Sequence, residues 1–106
     1  MQHYIIVKFN ENVKYMELID SIKELFNKGL ELDGVNSIDF YTSCIDLPNR
    51  YDLMIKMTLS GDGLSNFDNS YIHKEWKERF GNLIATKTIF DCEEWYEENI
   101  YNRSCW

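Results

Sequence analysis

The chain has 106 residues, 44% of them hydrophobic and 15% aromatic, with 18 acidic against 11 basic side chains and a net charge of −7. That length fits one domain with a sizeable core, and the composition is that of a folded chain, not a disordered one. The negative balance, with no lysine or arginine stripe to override it, argues against nucleic acid and anionic membranes as partners; no apolar run nears the about eighteen residues of a membrane span.

The first element is read at residues 2–9, "QHYIIVKF", where β-branched and aromatic residues predict a strand. His3, Ile5, Val7 and Phe9 share one face of it, and Tyr4, Ile6 and Lys8 the other. Between 14 and 28 the period changes. Tyr15, Leu18, Ile19, Ile22, Leu25 and Phe26 recur at helical spacing opposite Asp20, Lys23, Glu24 and Asn27, which predicts an amphipathic helix. Gly29 and Asp33-Gly34 supply its stop and the turn that follows.

Residues 35–43 read as a second strand, 44–50 as a loop around the one proline, and 51–60, "YDLMIKMTLS", as a third strand. In that third strand Leu53, Ile55, Met57 and Leu59 oppose Met54, Lys56 and Thr58. "GDG" at 61–63 reads as a sharp break. Asp68, Asn69 or Ser70 is then a candidate cap for a helix reaching about Asn82, with Ile72, Trp76, Phe80 and Leu83 on its apolar stripe. A fourth strand is predicted over 85–93. Residues 94–106 form an acidic, aromatic tail containing Trp95, Tyr96, Ile100, Tyr101 and Trp106.

The order β-α-β-β-α-β predicts an α+β, ferredoxin-like protomer: a four-stranded antiparallel sheet with two helices on one face. Such a sheet has a second face, which ought to be polar if it met water. Here that face carries Tyr4, Ile6, Met54 and, on the fourth strand, Ile89. Either a second copy covers it, sheet against sheet, as a homodimer, or the C-terminal tail folds back over it.

Candidate chemistry is sparse. Cys44, Cys92 and Cys105 are odd in number and lack zinc-type spacing. With no apolar leader segment in view, a cytoplasmic protein with reduced thiols is expected. Asn102-Arg103-Ser104 matches a glycosylation acceptor, read as coincidental in that setting. Two separated histidines make no metal cluster; the acidic run Glu93, Glu94, Glu97 and Glu98 is a solvated face or at most a weak cation site. No metal and no cofactor are expected. His73 borders the apolar stripe of its helix, and is either a proton carrier turned toward a pocket or a boundary residue packed on Trp76. His3 is either a pocket polar group or a half-solvated strand end. Any cavity between sheet and helices is expected to be lined by Ile5, Val7, Ile22, Leu25, Leu53, Ile55, Met57, Trp76 and Phe80, and to suit a small apolar or aromatic molecule.

The segments "HYIIVKF", "DGVNSIDF", "YDLMIKMTL", "YIHKEW" and "TIFDCE" together resemble the Dabb family, the stress-responsive dimeric α/β barrel domains. The resemblance spans about residues 1–93, leaving 94–106 as the tail. It implies a ferredoxin-like protomer whose sheet pairs with a second copy to form a barrel. The family includes a plant polyketide cyclase that works without a cofactor, and related barrels include cofactor-free monooxygenases. In the cyclase-like pattern a tyrosine precedes an "HPxH" motif whose second histidine is the catalytic base. In "SYIHKEW", His73 falls on the first histidine, Lys74 replaces the proline and Trp76 replaces the catalytic histidine. Ser70 stands at the tyrosine position with Tyr71 adjacent, which adds Tyr71 to the expected ligand contacts. His3 matches a pocket histidine of the first strand, while Leu53 replaces another. The resemblance therefore implies a small-molecule binder, or a cofactor-independent cyclase-like or monooxygenase-like enzyme using His3 and His73. A third possibility is a purely structural dimer with a filled core.

Overall fold

The computed structural model describes residues 1–93, in which four strands and three helices follow one another as β1 (Gln2–Phe9), α1 (Ile19–Asn27), β2 (Val35–Thr42), β3 (Leu53–Leu59), α2 (Gly63–Asp68), α3 (Tyr71–Phe80) and β4 (Ile84–Cys92). The strands form one sheet in the order β2-β3-β1-β4, every neighbouring pair antiparallel. This is the ferredoxin-like βαββαβ arrangement that the order of periodic segments predicts. The tail over 94–106, with its five aromatic and aliphatic residues, most of its acidic run, and Cys105, lies outside the described residues.

The core forms where alternation and helical stripe meet. Ile5, Val7 and Phe9 of β1 and Leu53, Ile55, Met57 and Leu59 of β3 are buried against Ile19, Ile22, Leu25 and Phe26 of α1 and Ile72, Trp76 and Phe80 of α3. Phe26 sits at the centre, edge-on to Trp76 at 5.0 Å and stacked with Phe67 at 5.7 Å. Burial of side chains this size contributes about 1.5–3 kcal/mol each.

Two local structures depart from the sequence reading. The start of the predicted first helix is a 3-10 turn, Tyr15–Glu17, and the α-helix proper begins at Ile19. Leu18, at the N-cap, offers no side-chain acceptor, so the free N–H groups of the first turn go unmet by a cap. A short extra helix, α2, also follows the "GDG" break. At six residues it is too short to display a stripe, and it is anchored by Phe67, which is fully buried. Its position depends on glycine. Gly34 has φ of +85°, and a Cβ there would lie 2.3 Å from the Ser60 carbonyl oxygen and 2.6 Å from the Gly63 nitrogen. The turn after α1 thus lies directly on the turn that launches α2, and the Ser60 N–H donates to the Gly34 carbonyl at 2.8 Å.

The register corrects the assignment of one face. Ile89 pairs with Ile5, and Phe90 with Tyr4; residues directly opposite in an antiparallel pair point to the same side. Ile89 therefore faces the helix layer, and Phe90 joins Tyr4, Ile6 and Met54 on the open face, its ring centroid 6.2 Å from that of Tyr4. "TIFD" offers two adjacent apolar residues, so alternation alone does not fix its phase. Tyr41, opposite Met54, extends the same apolar face, and the Tyr51 hydroxyl hydrogen-bonds with Thr88 Oγ1 at 2.6 Å beside it.

Candidate functional site

Strand β4 is one edge of the sheet, and the helix layer stops short of it: Lys87, Ile89 and Asp91 are exposed although they face the helices. That missing cover leaves a cavity of about 430 Å³ walled by β1, β4, α2 and α3. Its apolar lining comes from Ile5, Leu64, Phe67, Trp76 and Ile89, and its polar lining from His3, Asp68, His73, Lys77, Lys87 and Asp91.

The two histidines reach this cavity by different local logic. His3 and Asp91 are paired across β1 and β4, and the pairing brings His3 Nδ1 to 2.5 Å from Asp91 Oδ1. With Asp91 ionised, Nδ1 donates, so the neutral ring keeps its lone pair on Nε2. His3 is only 6% exposed. His73 is set by the cap of α3: the Ser70 hydroxyl oxygen accepts from the His73 N–H at 3.4 Å and donates to the Phe67 carbonyl at 2.6 Å. The cap is thus Ser70, one of the three candidates. The His73 ring packs against Phe67 with centroids 5.4 Å apart. Burial holds its pKa below the ordinary imidazole value, and the Lys77 charge acts in the same direction; the Asp68 carboxylate and backbone act the other way. His73 is accordingly an uncharged acceptor near neutral pH.

Of the ten residues expected to contact a ligand, Ile5 and Trp76 line this cavity. Val7, Ile22, Leu25, Leu53, Ile55, Met57 and Phe80 are buried in the packed core, and none of them is among the cavity lining. Their stripe meets its partners so completely that no space is left. Tyr71 is exposed on α3 and also lies off the cavity wall. The lining residues that spacing does not assign to the cavity are Leu64, Phe67, Asp68, Lys77, Lys87, Ile89 and Asp91. Only the strand register, which sets residue 91 opposite residue 3, could have revealed the carboxylate partner of His3.

A second hollow of about 510 Å³ lies at the far end of β1, between Tyr15, Asp46, Pro48 and Asp52. Asp52 is engaged there, accepting the Phe9 N–H at 2.8 Å, and burial with the Asp52 and Asp46 charges raises the Tyr15 pKa, keeping the phenol protonated. Although slightly larger, it holds neither histidine. Among the described residues no three histidine, cysteine or acidic side chains are grouped as metal ligands. No helix among them is long and apolar enough to cross a membrane.

No family model and no curated protein matches the sequence. Solved structures do match the shape. A dimeric ferredoxin-like protein of unknown function from Thermobifida fusca superposes with a TM-score of 0.70 at 14% identity, covering 84% of this chain and 85% of the other. A Dabb family protein with a ferredoxin-like fold from Mesorhizobium loti gives 0.70 at 10% identity, covering 90% and 96%. A hydroxynitrile lyase from Passiflora edulis gives 0.67 at 14% identity, covering 90% and 94%. The likeness is one of fold. The chain has the ferredoxin-like fold that these structures share, and at these identities the shared backbone carries no chemistry with it.

Proposed function

We propose that this chain is a Dabb-type homodimer that binds a small apolar or aromatic molecule in the cleft between β1, β4 and α3. The observation that carries the reading is the cavity itself. Its volume of about 430 Å³ falls in the range of small-molecule sites, and apolar walls with a few converging polar groups are what such sites require. The dimer is supported by the open sheet face, where Phe90 and Tyr41 are 58% and 48% exposed beside Tyr4, Ile6 and Met54, and by the dimeric description of the Thermobifida fusca structure. Titrating the ¹⁵N-labelled protein with indole is expected to move the amides of Ile5, His73, Trp76 and Ile89, and Ile89→Trp, which fills the cavity, is expected to abolish the shifts. Shifts confined to other surfaces, or surviving Ile89→Trp, would contradict the reading.

A second reading, a cofactor-independent enzyme using His3 and His73, is favoured by one contact. The Asp91 carboxylate on His3 Nδ1 fixes the tautomer and the ring orientation, turning Nε2 into the free acceptor, as second-sphere carboxylates do. His73, kept uncharged, is a second proton acceptor at the same wall. Asp91 is here a positioning residue. If the reading holds, the protein catalyses exchange of the α-protons of an aryl methyl ketone into D2O, and Asp91→Asn slows that exchange by about tenfold or more while Asp91→Glu restores part of it. Exchange no faster than in buffer would eliminate it.

A further inference from the structure

The cavity is not chemically symmetric. Towards the C-terminal end of α3 it adjoins a smaller hollow of about 260 Å³, bounded by Trp76, Lys77, Gly81, Ile84, Ala85 and Lys87. The two hollows share Trp76, Lys77 and Lys87. Among the described residues these lysines are the only charged side chains of the smaller one, set among an indole, two aliphatic residues and a glycine. They come from different elements, Lys77 from α3 and Lys87 from β4, so they stand on the two banks of the uncovered seam. Among the described residues neither lysine makes an ion pair. The acidic groups of the larger cavity lie elsewhere: Asp91 is engaged with His3, and Asp68 stands by His73 on the α2 side. In a chain of net charge −7, a seam whose described lining holds two cations and no anion is a local reversal of sign, and low-dielectric walls concentrate such a field.

We propose that the seam between α3 and β4 takes a flat apolar or aromatic molecule bearing one anionic group, the anion held between Lys77 and Lys87 and the ring system lying against Trp76 toward the cavity. The inference rests on the binding reading above and adds the charge of the ligand to it. Two ammonium groups are suited to a carboxylate, phenolate or sulfonate as point charges, without the forked geometry an arginine would impose. The same two charges lower the proton affinity of His73, so both act on the cavity wall from the seam.

The test compares 2-naphthoate with 2-naphthamide, which share one shape and differ in charge. Both are titrated into the full-length protein while the amides of Trp76, Lys77, Lys87 and Ile89 are followed by NMR. Naphthoate is expected to bind about fivefold to tenfold more tightly at low ionic strength, the scale of two partly exposed ion pairs. The preference should shrink in about 0.5 M salt. It should disappear in Lys77→Gln/Lys87→Gln, whose dispersed amide spectrum and parental melting temperature report an intact fold. Equal affinity for the two ligands in the parent, or a preference that survives the double substitution, would overturn the anion site while leaving the cavity reading in place. If neither ligand moves these amides, both fall.

Discussion

At the scale of single residues, His73 is the most informative group. Its ring is packed on Phe67 and half-buried, and burial, then Lys77, lowers its pKa below the usual 6.5. Its ¹H–¹³C ring signals should therefore titrate with a midpoint below that value, and Lys77→Gln should move the midpoint upward by part of the shift, burial remaining. A parent midpoint at or above 6.5 would contradict the account. The consequence for stability has a definite sign. Between the ordinary value and the lowered one, the unfolded chain binds more protons at this position than the folded chain. The contribution is present above pH about 6.5 and is lost as the pH falls through the folded-state value. His3 illustrates what residue-level spacing does not reveal. Its position on the buried face of β1 follows from alternation, but its partner Asp91 is 88 positions away in the chain. No local pattern carries that pairing.

Elements were legible where the chain repeats itself. Alternating burial from His3 to Phe9 defines β1, and seven residues of it define β3; the stripe of α1 returns to the core at Ile19, Ile22, Leu25 and Phe26. The misses share one cause, which is that a short segment has too few repeats to fix period or phase. Helix α2 has Leu64 and Phe67 and little else apolar, and β4 has Ile89 beside Phe90. Periodicity also says which face is buried without saying whether the buried face closes. Val7, Ile55 and Met57 were expected at a cavity wall and are instead fully enclosed. The void lies at the sheet edge, where α3 does not reach β4. The glycine contact that seats α2 yields a paired prediction. Gly34→Ala introduces both a left-handed backbone for a non-glycine residue and a Cβ contact of 2.3 Å with Ser60, at a cost of about 3 kcal/mol or more. Gly81→Ala, at φ −54° and ψ −42° with no atom within 4 Å of the added carbon, is expected to gain about 0.5–1 kcal/mol. Thermal unfolding of the two variants checks both. A Gly34→Ala protein as stable as the parent would show that the α1 and β3 turns do not meet as described.

For the whole molecule, the governing fact is that the sheet carries an apolar cluster on each side while helices cover one. β1 links the two sides: Tyr4 and Ile6 face outward between His3, Ile5 and Val7, which face the helices. Whatever holds the open face thus also holds the strand that carries one of the cavity histidines. Tyr4, Ile6, Met54, Phe90 and Tyr41 form a contiguous patch by register, and an apolar surface of that kind on a folded domain marks an interaction site. A second copy placed sheet to sheet covers the patch on both partners at once, since a twofold interface is self-complementary. The most direct measurement is the mass in solution, by sedimentation velocity at micromolar concentration. The account predicts a particle of twice the 12.7 kDa chain mass, reduced to a single chain by Phe90→Glu. A parent protein that sediments as one 12.7 kDa chain would contradict it.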